Sequence, residues 1–278
     1  MEKWKNLRVT TYAAEVVGKY QFDVIDELSS SFTSYDEDGK PVSGYSRQND
    51  DCITTDEYYE NGLLVKEDSE YHTTEYKYND KGNLLEMVMN SDGEKQTQKL
   101  TYDENGNVTK MVHRCEDLFS GEEEQMTIRY IYDEKGNLIE RITKSNEGKE
   151  VIKLYYNDEG VKIAEKMAHD SYFEITEFAN DENLTERRYH CKAKDVKTFL
   201  ETDDFKKQLF ETKEIRREQK TEGNKVYDIG YCIVNGSTCS KEIIISDATT
   251  NHILKYYEVF YNIGESPIVT EKTIEYWD

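Results

Sequence analysis

The chain has 278 residues and carries 58 acidic against 36 basic side chains, which gives a net charge of −22. Its 22 tyrosines and only two prolines are not the composition of a disordered chain, so we expect a folded protein with a high ratio of surface to core. An acidic surface repels nucleic acid and anionic membranes, and we therefore expect neither as a partner.

Residues 1–34 predict one or two strands, with a turn at Ser29, Ser30 and Ser31. This segment contains no apolar stretch of signal-peptide length. The five cysteines of the chain are scattered and odd in number, which is not a disulfide framework. Both features favour a reducing, cytoplasmic location.

A turn motif recurs through residues 35–190. Most copies have a tyrosine, then an acidic or amide residue, two further polar residues and a glycine. The copies are Tyr35–Gly39, Tyr58–Gly62, Tyr78–Gly82, Tyr102–Gly106, Tyr132–Gly136, Tyr156–Gly160 and a weaker one, Phe178–Glu182, which lacks the glycine. Their near-regular spacing indicates a repeat protein.

The motif has a direct physical explanation. Asp or Asn suits the first position of a type I turn, and Gly at the fourth position supplies the positive φ with which the chain re-enters a sheet. An apolar run follows several turns, as in Asn83–Val88 and Asn137–Ile142, and a second set of turns such as Ser91–Gly93 lies between them. The pattern predicts a mainly β fold, an antiparallel β-meander that forms an extended twisted sheet.

The Tyr-Asp-x-x-Gly-Asn-Leu units of residues 35–185 resemble the YD repeats of the Rhs and teneurin families. In those families many tens of repeats coil into a shell around a toxin, and the copies in this chain are too few to close one. The resemblance implies a sheet built from hairpins. It also implies an association with toxins, because short proteins of this type occur beside them as immunity partners.

Residues 191–278 lose the motif but keep the character of strands. The pair Asn235-Gly236 predicts a tight hairpin that begins with Lys225–Val234, and two more strands are predicted at His252–Tyr261 and Ile268–Trp277. Residues 203–219 are rich in Lys, Glu, Gln and Arg without Gly or Pro, which predicts a helix.

Cys232 and Cys239 flank the Asn235-Gly236 turn. Counted outward from the turn, they face each other as a hydrogen-bonded pair, where the wide spacing suits a disulfide less well than the closer non-hydrogen-bonded pair. We therefore expect two thiols rather than a disulfide.

No constellation of catalytic groups is evident in the sequence. Adjacent His190 and Cys191 would point to opposite faces of a strand, and His113 and Cys115 lack the second pair of ligands that zinc needs. The turn Asp103–Asn107 offers oxygen atoms, but its glycine lies fourth and not sixth as a calcium loop requires. We predict a protein that is not an enzyme and that binds no metal and no cofactor.

The leading functional hypothesis is a bacterial immunity protein that neutralises a toxin by occluding it, with a basic toxin domain as its protein partner. The predicted contact residues are Glu122, Glu123, Glu124, Asp203, Asp204, Tyr130 and Tyr132. The tyrosines have a structural alternative as cross-strand packing, and the glutamates as a solvated loop.

Two other hypotheses belong to different classes. A glycan- or cell-surface-binding YD-repeat module would use the tyrosines as stacking platforms. An enzyme with its site in residues 191–278 is the third hypothesis. Exposed edge strands at both ends of the predicted sheet would allow pairing with another chain.

Overall fold

The computed structural model describes residues 4–18, 21–48, 53–170, 172–179, 185–203, 205–261 and 267–276. Within these ranges the elements are twenty strands and one short helix, α1 (Val196–Glu201). The first ten strands are β1 (Trp4–Gly18), β2 (Gln21–Tyr35), β3 (Pro41–Gln48), β4 (Ile53–Glu60), β5 (Leu63–Ser69), β6 (His72–Tyr78), β7 (Leu84–Ser91), β8 (Glu94–Tyr102), β9 (Val108–Asp117) and β10 (Glu123–Tyr132). The others are β11 (Leu138–Ser145), β12 (Gly148–Tyr156), β13 (Lys162–His169), β14 (Tyr172–Phe178), β15 (Glu186–Lys192), β16 (Lys206–Glu222), β17 (Lys225–Val234), β18 (Ser237–Asp247), β19 (Ile253–Phe260) and β20 (Ile268–Tyr276).

All twenty strands belong to one sheet, and the first strand pairs with the last. Leu7 lies opposite Ile274 in the antiparallel ladder between β1 and β20, and Leu7 also lies opposite Thr33 of β2. The sheet is therefore closed, which makes the fold an antiparallel β-barrel by its topology. The predicted mainly β class is confirmed. The predicted extended sheet with two exposed edges is wrong, because β1 and β20 occupy each other's edge.

Five of the repeated turns have the geometry that the motif predicts, whereas the copy at Tyr58–Gly62 is a two-residue turn in which Asn61 and Gly62 both have positive φ. In the turn after β10, Gly136 N donates to Asp133 O over 3.0 Å, and Asp133 N donates to Asn137 O over 2.9 Å. The Asp133 carboxylate accepts further bonds from the backbone N–H groups of Lys135 and Asn137, at 2.9 and 2.8 Å. The fourth-position glycines of the six copies that retain one have φ between 77° and 87°, a region that favours glycine.

In three copies of the motif the tyrosine connects its turn to the preceding turn. The hydroxyl groups of Tyr102, Tyr132 and Tyr156 donate to the carbonyl oxygens of Leu84, Val108 and Leu138, over 2.7, 2.9 and 2.9 Å. Each acceptor is the first residue of the strand that follows the preceding turn. The repeated tyrosine thus satisfies a backbone carbonyl at the start of a neighbouring hairpin.

The chain divides into two compact units, and the first comprises residues 1–73 and 214–278. Its core contains Tyr12, Ala14, Ile229, Ile243, Ile245, Tyr257, Val259 and Val269. Phe22 of β2 packs against Tyr257 of β19, with ring centroids 5.4 Å apart. Phe22, near the start of β2, therefore helps to cover one face of β17–β20.

The second unit comprises residues 74–213, and its core lies beneath helix α1. Phe199 of α1 is fully buried against Phe173 and Phe205, with centroids 5.0 and 5.1 Å away. The helix begins at the N-cap Asp195, whose carboxylate accepts from Thr198 N over 2.8 Å.

The helix predicted for residues 203–219 is wrong. Most of that segment lies in β16, where Leu209 is directly opposite Tyr189 of β15. Helix propensity is a weak preference, and pairing with an existing strand overrides it here. The one helix of the described residues ends at Glu201, just before the predicted segment begins.

Candidate functional site

Strand register brings basic side chains together on one face of the second unit. Residues directly opposite each other in an antiparallel ladder point to the same face, and so do residues two apart on one strand. Lys99, Val112, Thr127 and Lys144 form one such row across four strands. We call this surface the lysine face and define it by Lys77, Lys95, Lys99, Lys110, Arg114, Arg129 and Lys144.

Two adjoining cavities lie on the lysine face. The larger has a volume of about 650 Å³ and is lined by side chains of β6 to β10, including Lys77, Lys99 and Arg114. The smaller, of about 390 Å³, is lined by side chains of β9 to β11 and the following turn, including Arg129 and Lys144. Lys110 lines both, so the two cavities form one basic surface.

Some of these cations are paired with carboxylates. Glu86 accepts from Lys77 over 2.8 Å and lies 3.0 Å from the ammonium of Lys99. Arg114 lies 3.5 Å from Glu123. These pairs neutralise part of the larger cavity.

Three cations that line the smaller cavity have no such partner in the part of the chain that the structure describes. Within the described ranges, no carboxylate oxygen lies within 4.0 Å of Lys110, Arg129 or Lys144. Lys110 is directly opposite Arg129, and Lys144 is directly opposite Lys149. Like charges in directly opposed positions destabilise a ladder. The net charge of the chain is −22, yet these opposed cations face one another without carboxylate partners among the described residues. An anion bound on the lysine face would relieve their repulsion.

Helix α1 covers the same face farther along the sheet. Lys166 of β13 donates to the carbonyl oxygens of Phe199 and Thr202 over 3.3 and 2.9 Å, and lies 3.0 Å from the Asp203 carboxylate. The bond from Lys166 holds the pKa of Asp203 below its ordinary value. Lys166 therefore closes the C-terminal end of α1 and belongs to the packing of the helix.

The opposite face of β8 to β13 has a different chemistry. Leu100, Met111 and Ile128 form a directly opposed row on it. It also carries the motif tyrosines, and we call it the tyrosine face. Its charged residues include the ion pair between Arg141 and Glu150, with nitrogen and oxygen 3.1 Å apart.

The predicted acidic contact residues separate in the structure. Glu122 precedes β10, whereas Glu123 and Glu124 are its first two residues, so the run is not a single loop. Glu123 lines the larger cavity and Glu124 lies opposite Cys115. Neighbours on a strand point to opposite faces, so these two glutamates cannot form one acidic patch.

The other predicted contacts lie elsewhere. Tyr130 and Tyr132 are at the far end of β10, on the tyrosine face. Asp203 is occupied by Lys166, and Asp204 lies outside the described residues. The structure does not bring the six described residues of this set into one surface. Whether any of them contacts a partner singly stays a prediction.

The sequence contains a partial signal for the lysine face. Lys95 and Lys99 share one parity on their strand, and Lys110 and Arg114 share another. Period-two spacing puts each pair on one face of its own strand, but only the register shows that both pairs share a face of the sheet.

The chemical groups outside the lysine face form no evident centre. No group of three or more His, Cys, Asp and Glu side chains in the described part of the chain is placed to hold a metal ion. Cys115 donates to Glu94 over 3.1 Å, and His190 stacks on Phe210 with centroids 3.9 Å apart. The expectation that the protein is not an enzyme stays a prediction. Among the described residues no helix is long and apolar enough to cross a membrane.

Comparison with known proteins assigns the chain to no family. No protein-family model matches it, and no curated protein matches it. A solved porin-like protein from Bacteroides uniformis is 12% identical, over 98% of this chain and 96% of its own length, with a TM-score of 0.33. A mutant porin of Rh. blastica is 7% identical, over 98% of this chain and 99% of its own, with a TM-score of 0.27. Superpositions with scores this low identify no relative.

The resemblance to the Rhs and teneurin YD repeats is contradicted as an identification. No family model matches the chain, and its hairpins join the strands of a closed barrel. The immunity protein with a basic toxin partner, and the YD-repeat glycan- or cell-surface-binding module, are contradicted with it. Both hypotheses started from the YD resemblance, and the pairing of β1 with β20 closes the sheet into a barrel instead.

The predicted cytoplasmic location and the predicted absence of a membrane partner are also wrong. A closed antiparallel barrel leaves no unpaired backbone at a sheet edge, which is the condition for strands to span a membrane.

Proposed function

We propose that the protein is a porin-like membrane barrel whose lysine face contacts the anions that it admits. The observation that carries the proposal is a set of three cations that line a cavity on a closed sheet, Lys110, Arg129 and Lys144. None of the three has a carboxylate partner among the residues that the structure describes. Fixed positive charges along a water-filled path favour anions over cations. The chain as a whole is strongly acidic, so a surface on which cations cluster departs from its average composition.

The two faces of the sheet support this arrangement. In a closed barrel the backbone N–H and C=O groups are hydrogen-bonded between neighbouring strands, so the outer surface can face lipid without unpaired backbone groups. The lysine face supplies the polar side, and the row of Leu100, Met111 and Ile128 supplies apolar area on the tyrosine face. A lone Arg or Lys facing lipid costs about 2–4 kcal/mol at the membrane midplane. Pairing of Arg141 with Glu150 reduces that cost on the tyrosine face.

Planar lipid bilayers test the proposal directly. The purified chain is added to a bilayer that separates two KCl concentrations, and the reversal potential reports whether chloride or potassium carries more current. We expect stable conductance with a reversal potential of the sign for chloride. Replacing the three cations in the variant K110E/R129E/K144E should move the reversal potential towards the value for potassium.

A charge-matched control variant separates a local from a general effect. K40E/K81E/K135E makes the same change in net charge at exposed lysines of three motif turns, and it should leave the reversal potential unchanged. A protein that stays in the aqueous phase with liposomes and gives no conductance contradicts the membrane barrel. Conductance that ignores K110E/R129E/K144E contradicts the role of the lysine face.

A further inference from the structure

We infer that Cys232 and Cys239 form a dithiol that closes reversibly to a disulfide, a modification site on the hairpin of β17 and β18. The inference rests on the local geometry of this hairpin, which belongs to the first unit, whereas the lysine face belongs to the second. It is independent of the proposed function.

A β-bulge sets the relative position of the two residues. Val234 lies opposite Ser237 and Ile233 opposite Thr238, as simple counting from the Asn235-Gly236 turn requires. The next pair is Cys232 with Ser240, so the register shifts there by one residue. Cys239 is the extra residue of the bulge, and Cys239 and Ser240 together oppose Cys232.

The bulge places the two sulfur atoms in contact. The Sγ atoms of Cys232 and Cys239 are 3.1 Å apart, and Cys239 Sγ is 3.2 Å from the carbonyl oxygen of Cys232. A disulfide bond has a length of about 2.05 Å, so the sulfur atoms need to approach by about 1 Å. Counting from the turn predicted that the two residues form a regular hydrogen-bonded pair, in which the Cα atoms are farther apart than in a non-hydrogen-bonded pair. The bulge removes that obstacle.

The two thiols also differ from the other described cysteines, from Cys191 in access and from Cys115 in bonding. Cys232 and Cys239 are both partly exposed, near the tip of a two-residue turn. Cys191 is buried beneath helix α1, and Cys115 donates to the Glu94 carboxylate. A reagent in solution therefore reaches the pair at the hairpin before it reaches Cys191.

The chemistry is thiol–disulfide exchange with a soluble disulfide as the oxidant. The thiolate of one cysteine attacks a sulfur of the reagent, which forms a mixed disulfide and releases one reagent thiolate. The second cysteine, as its thiolate, attacks the mixed disulfide at the cysteine sulfur and releases the second reagent thiolate. Two protons leave the protein and two electrons pass to the reagent, which is reduced to two thiols. An oxidising compartment would hold the pair closed.

The experiment is oxidation of the folded, full-length chain with oxidised glutathione, followed by peptide mass spectrometry and counting of the remaining thiols. We expect a peptide linked between positions 232 and 239, the loss of two thiols, and recovery of both thiols with dithiothreitol. The variant C115S keeps the pair and should behave in the same way. The single variants C232S and C239S should stop at the mixed disulfide with glutathione, because the resolving thiol is absent.

Closure in urea supplies the decisive comparison. In the unfolded chain the bulge no longer holds the sulfur atoms together, and we expect closure to be slower by about tenfold or more at the same oxidant concentration. Equal rates in the folded and unfolded chains would show that nearness in sequence alone produces the bond, and would overturn the inference. Stable mixed disulfides at both positions of the folded wild type would overturn it as well.

Discussion

Removal of the hydroxyl group of Tyr132 tests whether the motif tyrosines hold consecutive hairpins together. The hydroxyl of Tyr132 donates to Val108 O over 2.9 Å, and phenylalanine retains the ring while it deletes this bond. The net contribution of such a hydrogen bond is about 0.5–1.5 kcal/mol. We therefore expect Y132F to lower the free energy of unfolding by about 1 kcal/mol.

The matched control lies two residues away on the same strand and the same face. In the described part of the chain Tyr130 makes no hydrogen bond through its hydroxyl, so Y130F should be nearly neutral. The triple variant Y102F/Y132F/Y156F removes three bonds of the same kind. Because the three sites share no partner, their effects should add to about 3 kcal/mol.

Urea unfolding followed by circular dichroism provides the assay, because an unchanged dependence on urea shows that only stability has changed. A Y132F protein that unfolds at the same urea concentration as Y130F would refute the structural role of the tyrosine hydroxyl. A triple variant no less stable than Y132F would show that the bonds at Tyr102 and Tyr156 contribute nothing.

Three further predictions address the turns and the two cores. The bond from Asn137 holds the pKa of the Asp133 carboxyl below its ordinary value. The carboxylate therefore stabilises the fold above the unfolded pKa of about 4, and this stabilisation is lost as pH falls through the lower folded pKa. We expect D133N to reduce the loss of stability in acid, measured as the urea midpoint against pH, and to keep the turn, because Asn79 occupies the same turn position in another copy. K166M removes the bonds that Lys166 donates to the carbonyl oxygens of Phe199 and Thr202 at the end of α1, and it should cost about 1–3 kcal/mol. The loss should appear as faster hydrogen exchange of residues 196–201, and unchanged exchange would contradict the role of Lys166. I243A leaves a cavity at a fully buried side chain and should lower the free energy of unfolding, measured in urea, by about 2–5 kcal/mol. The control I163A changes a residue that is 42% exposed and should be nearly neutral. Equal losses of stability in the two variants would contradict the assigned core.

The local structure of this protein was predictable from short stretches of sequence. The turn at Asp133–Gly136 follows from the needs of a type I turn and from the conformational freedom of glycine, which act within five residues. The hairpin at Asn235-Gly236 follows in the same way. In both cases the interactions that decide the structure lie within the segment itself.

The charged segment 203–219 shows where local reasoning fails. Its composition favours a helix in isolation, but β15 offers it a ladder of backbone hydrogen bonds, and the segment becomes β16. The bulge at Cys232 is a second example. Simple counting from the turn is correct for two pairs and fails at the third, because the extra residue changes the register.

The sequence by itself determined most of the strands, their alternation and the repeated turns that join them, but not β16, helix α1 or the continuation of β2 through Ser29–Ser31. Only the tertiary structure decided that β1 pairs with β20, and that the basic residues of β6 to β11 share one face. Period-two alternation predicts which side chains of one strand point to the same face, but it does not predict which strand is its neighbour in the sheet. Closure and the lysine face both depend on that second relation, which is set by pairing between residues far apart in the chain.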